Sequence, residues 1–289
     1  VVGMVVFVRG SFLRIVRIRG RTPRKRAPKR RIPMSHLAEP LDLLVVAAHP
    51  DDAEISIGGT ILATIAAGKR VGIVDLTRGE LSSRGTPELR AEETKAATEL
   101  LGVHFRTCLN LPDGSVRDTD DAREALVGVI RKTRPRVLLA PWRDDLHPDH
   151  AGAGLLAYRS LYLGGVKMYP HGKPASVQHR PATLGYYMCH TPFEPSVIVD
   201  VSDHWSQKVE VVKCYASQFF DPENDGPPTK ISKPGFMAAV EGRARDLGGR
   251  GGVELGEAIV WQDPPAVANP VDMIAGSGLS AVDPKGISS

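Results

Sequence analysis

The sequence predicts an α/β fold with a mostly parallel sheet and helices on both faces. Three observations predict it. Short continuous apolar runs recur along the chain, the form taken by strands buried on both faces. Capped helical stretches alternate with those runs. The 289 residues are 42% hydrophobic, and the three cysteines, Cys108, Cys189 and Cys214, include no CxxC pair. A packed core, and not a disulfide framework, therefore has to hold the fold. No repeat and no linker divides the body, so the layout is one Rossmann-like layer structure.

Each element has a local reason. Residues 41–48 (LDLLVVAA) form an unbroken apolar run, suited to a central parallel strand. Gly58-Gly59 opens a helical stretch to residue 67, and Gly68 is placed to close it. Residues 71–76 are a second buried strand. Thr86 can cap a helix in which Pro87 takes the first position; it runs to Leu101 and Gly102 ends it. Residues 104–109 are a short third strand. Residues 119–133 read as a helix ended by Arg134-Pro135. Residues 136–140 are a fourth strand and 151–163 a helix. Strands follow at 183–188 and 196–199, then a long helix over 202–219 and another over 235–247.

Charge divides the chain. Residues 1–33 carry 11 of the 37 basic residues and none of the 33 acidic ones, so the remainder is acidic by seven. That balance removes support for nucleic-acid binding by the body. The apolar run of the extension precedes its charge cluster, the wrong order for a signal peptide. Residues 1–33 read as an over-extended start, either not native or disordered, with Met34 as the expected native first residue; the alternatives are a transit peptide, which the missing serines disfavour, and a basic tail that binds anionic polymers such as nucleic acid. The body is expected over 34–263, and the Pro/Gly/Ser/Ala-rich residues 264–289 as a flexible tail. No apolar run is long enough to span a bilayer, and the unpaired cysteines favour a reducing, cytoplasmic setting.

The chemistry sits at two strand ends. His49-Pro50-Asp51-Asp52-Ala53-Glu54 follows the first strand, and His147-Pro148-Asp149-His150 follows the fourth, about 100 residues later. In a doubly wound sheet these two strands are commonly neighbours whose connections leave in opposite directions. Their carboxyl ends then flank the crevice where such folds bind ligands. Imidazole and carboxylate are zinc ligands, and three of them plus water make the usual catalytic arrangement. His49 and Asp52 can bind one ion from a turn stiffened by Pro50, and a histidine of the second motif can complete the set. Asp51 can take a proton from an activated water. The histidine outside the metal set can polarise a carbonyl or protonate a leaving group, held in its tautomer by Asp149. His36, His104, His171, His179, His190 and His204 lack partners at ligand spacing and read as surface or core residues. The Gly58-Gly59 pair is a weak phosphate signal without GxGxxG.

The joint pattern AHPDDAE and HPDH resembles the LmbE/PIG-L family of zinc-dependent N-acetylglucosamine deacetylases, over residues 41–220. Residues 76–93 (LTRGELSSRGTPELRAEE), with Tyr215-Ala216-Ser217-Gln218-Phe219, are similar to the subgroup that deacetylates N-acetylglucosaminyl-malate in bacillithiol biosynthesis. The resemblance implies His49, Asp52 and His150 as ligands of Zn²⁺, other divalent ions also suiting such a site. It implies Asp51 as general base, His147 as oxyanion stabiliser or acid, and Asp149 as its partner. It implies Arg90 as a substrate contact. Arg84 and Gln218 join Arg90 as candidate substrate-binding residues. Leu146 departs from the subgroup, many of whose members have arginine before HPDH; Arg143 or Arg84 is the expected replacement, and Phe236 is expected near the site. The expected activity is metal-dependent hydrolysis of an acetamide on an N-acetylated sugar, in a homo-oligomer, trimer or hexamer by resemblance. A broader N-acetylglucosamine or chitooligosaccharide deacetylase, or a mycothiol-type amide hydrolase, is the alternative within the class. A nucleotide-binding regulatory protein is the alternative outside it.

Overall fold

The computed structural model describes residues 39–170, 177–219 and 226–267. The extension 1–33, the start at Met34, most of the tail, His36 and His171 lie outside the described residues. Seven strands and six helices follow in the order β1 (Leu43–Ala47), α1 (Asp52–Ala66), β2 (Val71–Asp75), α2 (Pro87–Leu101), β3 (Phe105–Cys108), α3 (Asp120–Thr133), β4 (Val137–Pro141), α4 (Pro148–Gly164), β5 (Thr183–Tyr187), β6 (Val197–Asp200), α5 (Trp205–Lys213), α6 (Phe236–Gly251) and β7 (Gly256–Trp261). They form one sheet of order β3-β2-β1-β4-β5-β7-β6. The first five strands pair in parallel, and β7 runs antiparallel to both β5 and β6.

The apolar run of β1 is continuous because both of its faces are covered. Leu44 and Val46 pack with Leu126 and Ile130 of α3 and Leu156 of α4. Leu43, Val45 and Ala47 pack on the other face with Ile57 and Ile61 of α1, Ala97 and Leu101 of α2 and Val211 of α5. Since successive side chains of a strand alternate faces, a strand between two helical layers needs apolar residues at every position. β1 lies between β2 and β4, in register Leu43↔Val71 and Leu43↔Val137. The chain leaves β1 toward β2 and β3, then returns past β1 to β4. The carboxyl ends of β1 and β4 thus flank the point where the strand order reverses.

The caps of α2 and α3 follow the expected chemistry. Thr86 accepts from the Leu89 amide, and Thr119 from the Ala122 amide. Gly102 and Arg134 close the two helices in the left-handed conformation. Gly154 is required for a different reason: a Cβ there would sit 2.6 Å from the Pro141 carbonyl, so it lets α4 lie against the end of β4.

Five elements differ from expectation. α1 begins at Asp52, not at Gly58, but it is broken at Ile57 (φ −138°, ψ 25°). The amides of Gly59 and Thr60 freed by that break donate to the Glu257 carboxylate at 3.1 and 2.6 Å. Lys208 pairs with the same carboxylate at 2.6 Å. Glu257 therefore occupies the anion position that the glycine pair had suggested for phosphate. A Cβ at Gly59 would lie 2.6 Å from Val201, which explains the glycine by close packing. α4 starts at Pro148 because proline fits the first helical position.

The helix expected over 202–219 is a short 3₁₀ turn, Ser202–His204, followed by α5, which stops at Lys213. Beyond it, side chains are drawn into buried hydrogen bonds: Tyr215 to Glu54, Ser217 to Glu93, and Gln218 to the Arg84 carbonyl. β7 was not expected, and α6 runs four residues past the predicted end, to Gly251, before Gly252 turns the chain. No helix among the described residues is long and apolar enough to cross a membrane.

Candidate active site

The turn after β1 starts the site. Asp51 has φ 103°, a left-handed conformation unusual for a residue with a side chain. Such a conformation costs about 1–3 kcal/mol and persists where the surroundings enforce it. Here Arg90 of α2 provides the enforcement: its Nη2 donates to the Pro50 carbonyl and to Asp51 Oδ2 at 3.1 Å. Burial pushes the Asp51 carboxyl up to about 7, with Arg90 pulling against this and Asp52 adding to it.

Asp52, the first residue of α1, faces two imidazoles. Its Oδ2 is 3.2 Å from His49 Nδ1, and its Oδ1 is 3.1 Å from His150 Nε2. The far nitrogen of each ring is already engaged. His49 Nε2 lies 3.1 Å from both Asp113 Oδ1 and Asp149 Oδ2. His150 Nδ1 lies 3.0 Å from Asp145 Oδ1. The carboxylates hold the ring protons on those outer nitrogens. A neutral His49 and a neutral His150 then both direct lone pairs at a carboxylate, which is repulsive unless a positive charge lies between them. Two imidazole nitrogens and one carboxylate, each imidazole backed by a carboxylate, fit a divalent cation such as zinc. Without a cation the site holds protons instead. Burial opposes charge on His49, yet Asp52, Asp113 and Asp149 carry its pKa to about 12. His150 is also raised, and Asp52 is lowered well below its usual range by His150 and His49 despite burial.

His147 is the residue before α4, and its Nδ1 accepts the Asp149 amide at 3.2 Å. A neutral His147 so held keeps its proton on Nε2. Burial and the neighbouring charges of His150 and His49 lower its pKa, which favours that neutral donor form. The expected partnership of Asp149 with His147 is corrected on one point. The Asp149 carboxylate serves His49 and the amides of Gly114 and Val116; only its backbone amide holds His147.

These residues border a cleft of about 530 Å³, lined by His49, Asp51, Asp52, His147 and His150 among others. Arg90 and Gln218 line it too, but both are engaged in the framework. Gln218 donates to the Arg84 carbonyl and Ser217 Oγ and accepts from Ser82, all at 2.8 Å. Arg90 retains a buried Nε without a partner. Arg84 does not line the cleft. Its guanidinium donates to the carbonyls of Ser217, Gly226 and Pro227, strapping the loop before α2 to the segment after α5. The replacements considered for Leu146 are likewise absent from the lining: Arg143 packs over Trp142 and donates to Gln262, and Leu146 itself is 77% exposed. Phe236 does line the cleft.

Three residues of the site escaped sequence reasoning. Asp113, from the turn after β3, binds both His49 and the Leu81 amide. Asp145 also takes the amides of His147, His190 and Thr191. His190, expected as a surface or core residue, instead lines the cleft and stacks on His150 with ring centroids 5.1 Å apart. Asp145 sits five residues before a predicted ligand, so its position was a usable signal. Asp113 and His190 come from segments with no motif. Three groups among the described residues bring ligand atoms within 4.8 Å of one another: His49, His147 and His150; Asp145, His150 and His190; and His49, Asp113 and Asp149.

The family described as PIG-L: GlcNAc-PI de-N-acetylase matches residues 44–160, from β1 through α4 and across both motifs. The diacetylchitobiose deacetylase of Thermococcus kodakarensis is 33% identical over 193 residues, covering 61% of this chain and 70% of the relative. A 1D-myo-inositol 2-acetamido-2-deoxy-alpha-D-glucopyranoside deacetylase of Catenulispora acidiphila is 29% identical over 246 residues, covering 63% and 81%. The crystal structure of the conserved protein TT1542 from Thermus thermophilus superposes with a TM-score of 0.71 at 38% identity, covering 80% of this chain and 98% of that one.

Proposed function

The chain belongs to the PIG-L family, described as GlcNAc-PI de-N-acetylase, and from that premise we propose that it is a metal-dependent N-deacetylase of an N-acetylglucosaminyl conjugate. One observation carries the reading: Asp52 faces His49 Nδ1 and His150 Nε2 at about 3 Å, beside the Asp51 carboxyl, at the floor of a cleft. His49, Asp52 and His150 would hold the ion. When bound, it supplies a Lewis acid that acidifies water and polarises a carbonyl.

The chain's own residues do the rest. Asp51 accepts the proton of the attacking water; its raised pKa suits a group that must both take and return a proton near neutrality. Arg90 positions that carboxylate through the Pro50 carbonyl and Asp51 Oδ2. As water adds to the acetamide carbon, the carbonyl oxygen gains charge, and His147 Nε2–H donates to it. Such a donor contributes about 3–4 kcal/mol to the transition state. The C–N bond then breaks, and the proton held by Asp51 passes to the departing amine. Acetate and a free glucosaminyl amine leave.

The finer substrate we propose is N-acetylglucosaminyl-malate, as in bacillithiol biosynthesis. Its support is that the two subgroup-like segments hold one another: Glu93 accepts from the Ser217 amide and hydroxyl, and Arg84 and Gln218 clasp the same turn. A chitooligosaccharide is the second reading, favoured by the identity to the chitobiose deacetylase and a cleft able to take a disaccharide. The same reading takes residues 34–263 as the catalytic unit, working in the cytoplasm as a homo-oligomer, in keeping with three free cysteines. Acetate release tests it, with N-acetylglucosaminyl-malate, diacetylchitobiose and N-acetylglucosamine compared with and without chelator. Chelator-sensitive release from the malate conjugate supports the full reading. Release from chitobiose alone moves the substrate, and release from none overturns the proposal.

A further inference from the structure

The cleft carries cations that the hydrolytic chemistry does not use. Arg243 of α6 and Lys230 of the segment before it both line the cleft. They converge on one dipeptide of the chain. Arg243 Nη1 donates to the Cys189 carbonyl at 2.6 Å, and Lys230 Nζ donates to His190 Nδ1 at 3.0 Å. His190 in turn stacks on His150, so the two cations flank the candidate metal centre.

Neither cation has a carboxylate within ion-pair distance among the described residues. The carboxylates whose charge reaches Arg243 are Glu257 and Asp145, and both are engaged. Glu257 holds Lys208 and two amides of α1. Asp145 holds the His150 ring and three amides. The other arginines near the cleft are engaged too, Arg90 with Asp51 and Arg84 with backbone carbonyls. A half-buried guanidinium with no counter-ion is costly unless something supplies the negative charge. Its planar fork suits a carboxylate or a phosphate, and the adjacent ammonium adds a second donor. Ile231, Phe236 and Val240 line the same wall and keep the local dielectric low, which strengthens such pairs.

We propose that Arg243 and Lys230 form an anion subsite that selects an N-acetylated sugar bearing a carboxylate or phosphate on its aglycone. The proposal rests on the deacetylase reading for the nature of the sugar, and on the cleft alone for the anion.

The test has two readouts, applied to the wild type, K230Q, R243Q and the double variant. The first is kcat/KM for acetate release from N-acetylglucosaminyl-malate, N-acetylglucosamine 1-phosphate and neutral diacetylchitobiose. The ratio of anionic to neutral substrate falls about tenfold for each cation removed, mainly through KM. The substrate showing the larger fall tells carboxylate from phosphate. The second readout is calorimetric binding of malate and of inorganic phosphate, which needs no turnover. Anion affinity falls in both single variants. Lys230 is exposed, so K230Q keeps its fold even where R243Q loses stability. An unchanged substrate ratio together with unchanged anion affinity overturns the subsite. If the wild type releases acetate from no substrate, the deacetylase reading fails, and anion binding alone decides: loss in the variants upholds the subsite and equal affinity overturns it.

Discussion

Asp149 reaches His49 and not its neighbour His147: its Oδ2 lies 3.1 Å from His49 Nε2, across 100 residues of sequence. The carboxylate is 1% exposed and takes the amides of Gly114 and Val116 as well. It thereby fixes which His49 nitrogen faces Asp52. Asp149→Asn should weaken divalent-metal affinity about 10–100-fold, as loss of a carboxylate behind a ligand histidine does. Competition with a chromogenic chelator measures this. Unchanged metal affinity would remove Asp149 from the support of His49.

In the proposed mechanism the adjacent Asp51 and Asp52 have separate tasks, base and metal ligand. Asp51→Asn should retain about one metal ion per chain and lower kcat about 10²–10⁴-fold, the range for a lost general base. His150→Ala should instead lose the metal. Near-normal turnover in the first variant, or full metal content in the second, contradicts the assignment; metal analysis beside steady-state rates reads both.

His147→Phe keeps a ring in the cleft and removes the Nε2–H donor. The expectation is a fall of about 10²–10³-fold in kcat with metal content intact. A loss confined to KM would make His147 a substrate contact only.

Metal uptake should release protons. His49 carries a pKa of about 12 without metal because Asp52, Asp113 and Asp149 outweigh burial, and His150 is raised in the same way. Raised pKa values mean that the metal-free site is protonated at neutral pH, so a cation must displace those protons. Apparent metal affinity therefore rises with pH. Calorimetry in two buffers of different ionisation enthalpy counts the protons; a heat independent of buffer contradicts the account.

The break in α1 rests on a buried pair. Lys208 and Glu257 are 2% and 3% exposed, and Glu257 also caps the second half of α1. Lys208→Met leaves that carboxylate buried without its cation, at a cost of about 3–5 kcal/mol. Chemical denaturation tests this, and a midpoint equal to the wild type would refute it.

Much of the site was legible because its two motifs close adjacent strands of a parallel sheet. The run 41–48 marks β1 as central, and spacing then brings HPDD to HPDH. The residues behind them were less legible. Asp113 and His190 reach the site only through loops that meet in three dimensions, and no local pattern marks them. Arg84 and Gln218 look like surface polar residues suited to a substrate, yet burial turns them into ties between loops. α5 ends early because Tyr215, Ser217 and Gln218 find better partners outside a helix, a tertiary preference that helical periodicity cannot register. β7 was hidden by Glu257, a charge inside an apolar strand that makes sense only opposite Lys208.

The central claim is that His49, Asp52 and His150 hold the ion on which acetate release depends. The most direct test strips the purified chain with chelator, then adds Zn²⁺ stepwise while following acetate release from N-acetylglucosaminyl-malate and diacetylchitobiose. The account predicts no release from stripped protein, a linear rise, and a plateau at about one equivalent, with no recovery in His150→Ala. Turnover that survives stripping, or is restored equally in His150→Ala, would contradict it.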